Sequence, residues 1–178
     1  EVTVPALGYT TLVLSEKEAE AYPVYLQERE HVAGSYEDYL LENEYLAVTI
    51  SSVSGRIVSM REKETGTELI GRDGSAGFTY IETETATSNA WKIGRYLREQ
   101  PVERCLKLES VTDGSLRRSV KACWQIANSR LEATYSLDKG QKAVKVEAKA
   151  DWNESGSDMI PVLDYRIPLS YEPAEYQY

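Results

Sequence analysis

The chain has 178 residues, enough for one domain with a real core, and its 42% hydrophobic and 28% charged residues are ordinary for a globular protein. A net charge of −9, with Arg117–Arg118 as the longest basic run, argues against a nucleic-acid partner that tracks phosphates. No apolar run reaches the roughly 18 residues of a membrane-spanning helix, and one histidine with two cysteines is too small a donor set for a typical His/Cys zinc site.

Residues 1–14, EVTVPALGYTTLVL, read as an extended segment punctuated by Pro5 and Gly8. Residues 15–38 are polar and acidic and read as a connector. Within them SEKEAEAY suits a short helix, with Ser15 as N-cap, Glu18 completing a capping box and Pro23 ending it. From Leu40 onward strand patterns recur, so residues 39–178 read as one β domain. Leu46, Val48 and Ile50 alternate with Ala47 and Thr49, a small polar break runs from Ser51 to Gly55, and Ile57, Val58 and Met60 resume the apolar pattern. Two strands joined by a tight connection are predicted there. A further strand is predicted over Phe78 to Ile81.

The middle of the chain predicts two hairpins. Val102, Leu106 and Leu108 share one phase, and Val120, Ala122, Trp124 and Ile126 another. An odd loop brings both sets to one face, and Thr112-Asp113-Gly114 supplies a three-residue loop of that kind. Cys105 and Cys123 then share the opposite face as free thiols, the state of a cytoplasmic protein. No signal peptide is visible, although the chain starts at Glu1 without Met. In the second hairpin Leu131, Ala133 and Tyr135 face Val144, Val146 and Ala148 across a two-residue Lys139-Gly140 loop, with glycine where φ must be positive. Short turns between consecutive strands, with no long amphipathic helix, predict an all-β antiparallel β-sandwich.

Chemistry is harder to place. Thirteen tyrosines and three tryptophans against one phenylalanine suit half-buried sheets and sugar-facing surfaces, because each ring carries a polar tip. Asp151 and Glu154 read as a solvated turn at a strand end. Asp164 interrupts an apolar run and reads as an edge-strand charge, with Arg166 as a partner two residues on. His31 lies in the polar stretch EREHVAG, and no GxSxG supplies a nucleophile for it. No catalytic or metal-ligating residue is therefore assigned. The loop TATSNAWKIGRY, residues 85–96, is the candidate substrate-binding segment. Asn89, Trp91, Lys92 and Arg95 put an aromatic ring beside amide and cationic donors, which is how a sugar is gripped. The competing reading is a tryptophan packed at a sheet corner.

Four stretches carry a resemblance: VPALGYTT at 4–11, LENEYLAVTISSVSGRIVSMREKETGTELI at 41–70, NAWKIGRY at 89–96 and KVEAKADWNE at 145–154. Their order and spacing resemble the C-terminal region of glycoside hydrolase family 38 α-mannosidases. The resemblance implies a partial super-sandwich like that of galactose mutarotases, preceded by the end of a small β domain at residues 1–14. It implies a parent enzyme that hydrolyses terminal α-mannosides, with zinc, nucleophile and acid/base in a catalytic domain upstream of this chain, and with this portion scaffolding and walling the site. The family's cytosolic eukaryotic branch carries acids on both sides of the Ala-Trp pair, where this chain has Asn89 and Lys92. No cofactor is implied for the chain itself, and a sandwich cut at residue 178 implies dimerisation through an open sheet edge. A self-sufficient carbohydrate-binding module is the alternative. A sugar epimerase ranks last, since it needs an acid and a base and only His31 is on offer.

Overall fold

The computed structural model describes residues 4, 6, 8–13, 25–28 (backbone only), 38–72, 74–85, 92–111, 115–156 and 158–171. Among them there is no helix. Eleven strands form three antiparallel sheets. The first holds β1 (Tyr25–Glu28), β2 (Tyr39–Glu42), β3 (Leu46–Ile50) and β4 (Ile57–Glu62) in sequential order. The second runs β10-β9-β8-β7, from β7 (Lys107–Val111), β8 (Arg117–Ile126), β9 (Ser129–Asp138) and β10 (Val144–Asp151). The third places β5 (Gly77–Glu84) between β6 (Tyr96–Pro101) and β11 (Met159–Arg166). The helix suggested over SEKEAEAY and His31 lie outside the described residues. The stretch read as a connector contributes β1, which pairs with β2.

One core joins the sheets. Leu41, Val48 and Ile50 from the first sheet meet Val120, Trp124, Leu131 and Tyr135 from the second and Phe78 from the third. Burying this apolar surface is the main force holding the sheets face to face. Phe78 stands edge-on to Trp124 at 5.5 Å and to Tyr165 at 5.3 Å, the favoured geometry for ring quadrupoles.

The polar break at Ser51–Gly55 does more than join β3 to β4. Trp124 donates its Nε1–H to the Ser54 carbonyl at 2.7 Å, and the Tyr135 hydroxyl donates to the Gly55 carbonyl at 2.9 Å. Gly55 has φ +69°, and a Cβ there would lie 2.6 Å from the Trp124 ring. Only glycine satisfies both demands. Asn43 makes a second tie between sheets. Its Oδ1 accepts the backbone N–H groups of Tyr45 and Leu46, and its Nδ2 donates to the carbonyls of Asp138 and Gln141 at 2.7 and 2.8 Å. All four of its hydrogen-bonding positions are thus used.

The predicted faces are right where two of the predicted loops are not. Val144 opposes Leu137, Val146 opposes Tyr135 and Ala148 opposes Ala133, so the register is shifted by two residues and the last pair encloses residues 138–143 instead of a two-residue loop. Gly140 does take positive φ, +75°. A shift of two residues leaves every side chain on its predicted face, because the strand period is two. In the other hairpin the last pair is Val111 with Ser119, further apart than a three-residue loop allows, and Thr112, Asp113 and Gly114 lie outside the described residues. Leu108 opposes Ala122 and so shares its face, as predicted, in a register shifted from the one the short loop implied, but Leu106 precedes β7 and is 62% exposed. Cys105 and Cys123 are free, Cys123 buried and Cys105 half-buried with its Sγ 3.5 Å from the Cys123 carbonyl oxygen.

Candidate functional site

The loop from β5 to β6 leaves the third sheet at Glu84 and returns at Tyr96. Its base is pinched: Glu84 donates its N–H to the Arg95 carbonyl at 2.9 Å, and a Cβ on Gly94 would fall 2.0 Å from the Glu84 carbonyl oxygen. Glycine is required for that close approach. Of the four predicted substrate-binding residues, Asn89 and Trp91 lie outside the described residues. Lys92 and Arg95 are both exposed, and Arg95 Nε stands 3.9 Å from Glu84 Oε2. Ile93, between them, is 79% exposed, and Tyr96 and Leu97 are exposed at the start of β6. The loop's described end thus presents exposed cationic and apolar side chains next to the hydrogen-bonded β5–β6 strand pair.

The acidic candidates elsewhere have structural partners. The Glu154 carboxylate accepts the Asn128 N–H at 2.8 Å and the Ser129 hydroxyl at 2.7 Å, which holds the β8–β9 turn where Ala127 takes φ +44°. Asp151, at the end of β10, is exposed. Asp164 lies on β11, an edge strand, 3.6 Å from Arg166, which also pairs with Glu99 at 2.5 Å. Among the described residues no three of His, Cys, Asp and Glu gather where they would hold a metal ion.

Sequence reasoning missed a cleft between the third sheet and the β8–β9 turn. Tyr80 and Glu82 from β5, Arg98 and Gln100 from β6, Arg104 beyond β6 and Gln125 from β8 line it. The first four share a face because each pair is two residues apart on its strand, and Tyr80 pairs with Gln100 and Glu82 with Arg98. That spacing was in the sequence, but the pairing of β5 with β6 across a long loop was not. Tyr80 packs against Trp152, with centroids 6.2 Å apart, and burial, followed by the neighbouring Glu82 and Glu154 charges, pushes its hydroxyl pKa above the usual tyrosine value.

Three antiparallel sheets around a shared core, with a mixed-charge cleft beside the β8–β9 turn, define an all-β domain. A family model for the glycosyl hydrolases family 38 C-terminal domain matches residues 41–178. The chain belongs to that family, and its context is that of a glycoside hydrolase. No curated protein matches it.

Proposed function

We propose that the chain is the non-catalytic C-terminal β portion of an α-mannosidase, and that it forms one wall of a sugar pocket whose chemistry is supplied by another domain. The observation that carries this reading is the segment Lys92–Leu97. It projects cationic and apolar side chains away from a core that is already packed, while Gly94 and Glu84 fix its base. A side chain that neither packs nor pairs strongly, yet sits beside a hydrogen-bonded loop base, suits contact with another surface. Walls of this kind exclude water and orient the substrate, and small misplacements there are costly in rate. Asn89, Trp91, Lys92 and Arg95 are the residues assigned to the wall. No step of this proposal runs through zinc.

The test is made in the parent enzyme. Arg95→Ala removes only an exposed, long ion pair, which contributes little to stability. Turnover of an aryl α-mannoside is expected to fall about tenfold or more while the melting temperature stays unchanged. Trp91→Ala is expected to lower turnover more than it lowers melting temperature. Normal kinetics in both variants would sink the wall reading, and so would a Trp91→Ala enzyme that melts early but turns over normally in the cold.

A further inference from the structure

The third sheet parts from the second as β5 runs outward. Phe78 is in the core against Trp124, Tyr80 is half-buried, and Glu82 reaches the rim. The opening between β5, β6 and the β8–β9 turn is the cleft described above, about 330 Å³ in volume. That is the small end of the range for ligand pockets, enough for one ring.

Its lining has three properties that point the same way. The charges balance, with Glu82 and Glu103 against Arg98 and Arg104, so the cleft favours a neutral ligand over a phosphate or an amine. Its hydrogen-bonding groups are only half used. Gln100 accepts from Arg98 at 2.9 Å, and among the described residues its amide N–H groups have no acceptor. Gln125 donates to the Ala127 carbonyl at 2.9 Å, and among the described residues its own oxygen has no donor. Arg104 has no partner among the described residues, and Glu82 is only loosely paired with Arg98, at 3.7 Å. Donors and acceptors are thus left side by side, as adjacent hydroxyls require, since each hydroxyl both donates and accepts. Finally, Tyr80 brings an aromatic ring, backed by Trp152, to the same cleft.

We infer that this cleft is a carbohydrate subsite that takes one neutral pyranose unit, with Tyr80 against the apolar face of the ring and Glu82, Gln100, Arg104 and Gln125 on its hydroxyls. It is separate from the Lys92–Leu97 projection. Its ligand class rests on the reading of the chain as part of a glycosidase, whereas the cleft and its unused groups do not.

The experiment is a titration of the full chain with methyl α-mannopyranoside, followed by backbone amide NMR shifts, with inorganic phosphate as the comparison ligand. Saturable shifts are expected in β5, β6 and the β8–β9 turn, in the millimolar range, with no such response to phosphate. Arg104→Gln, at an exposed position, is expected to weaken binding about tenfold, the usual effect of losing a charged hydrogen bond. Tyr80→Phe is expected to keep binding and Tyr80→Ala to lose it. No saturable shift, shifts confined to residues 92–96, tighter binding of phosphate than of the sugar, or unchanged affinity in Arg104→Gln would each overturn the inference. The wall proposal stands or falls separately, on turnover of the Arg95→Ala parent enzyme.

Discussion

Strands β9 and β6 are both regular and both antiparallel to their neighbours, yet they do opposite things. β9 lies between β8 and β10 and buries Leu131, Ala133, Tyr135 and Leu137 completely. β6 is an edge strand, and all six of its side chains are exposed. In β9 the alternation of residues is dictated by the core. In β6 the residues Tyr96, Leu97, Arg98, Glu99 and Gln100 answer to no such demand, so their identity is available for contact with something outside the sheet. A strand with a loose relation to its own core is a better place to look for function than one with a tight relation.

The sharpest way to break that contrast is to attack the side of the molecule that β9 and β8 serve. Trp124→Ala removes a ring that is 1% exposed, that stands against Phe78 and that holds the Ser54 carbonyl. A loss of about 3–5 kcal/mol is expected, read by urea denaturation. A loss below about 1 kcal/mol would mean that the two sheets are held together elsewhere.

A smaller effect is expected from acid, at the margin of the first sheet. Burial alone would raise the Glu68 pKa. Hydrogen bonds from the Ser59 hydroxyl and from the backbone N–H groups of Ile70 and Met60 outweigh it, and the folded pKa lies below the ordinary 4.5. The folded state therefore binds this proton less readily than the unfolded state. Its contribution is complete above pH 4.5 and is lost as pH falls through the lowered folded value. Glu68→Gln is expected to flatten the acid limb of the stability curve below that point while shifting it little at neutral pH beyond the constant cost of the substitution. An unchanged acid limb in the variant would show that other carboxylates control it.

The smallest effect belongs to β6. Leu97→Ser replaces an exposed side chain on an edge strand and is expected to change stability by no more than about 0.5 kcal/mol in thermal melts. A large loss would show that Leu97 is covered by part of the chain and would remove β6 from the functional side of the comparison.

The same contrast explains what the sequence made legible. The apolar faces of β3, β8, β9 and β10 were readable because period-two alternation is local. Even the mistaken β9–β10 loop preserved the faces, since the register error was two residues. The third sheet was not readable as a unit. Met159 pairs with Glu84, and Arg166 with Gly77, across a long stretch of chain that forms another sheet. Nothing in the pattern of either segment names its partner. The loop at 85–96 was conspicuous for its residue types alone. The cleft was not, because Tyr80, Glu82, Arg98 and Gln100 become neighbours only once β5 and β6 are paired.

Asn43 imposes a rule on how the molecule can be re-engineered. The β9–β10 turn is short, has an exposed glycine and joins two strands on the surface, so it has the usual marks of a place to open the chain or insert a tag. Yet the carbonyls of Asp138 and Gln141 within it are the acceptors for the Asn43 amide, which is itself 3% exposed. Cutting or lengthening that turn strands a buried donor on the far sheet. In the turn at Glu62–Thr67 the ties sit at Lys63 and Glu64, whereas a Cβ on Gly66 would meet open space, so an insertion is better placed at Gly66.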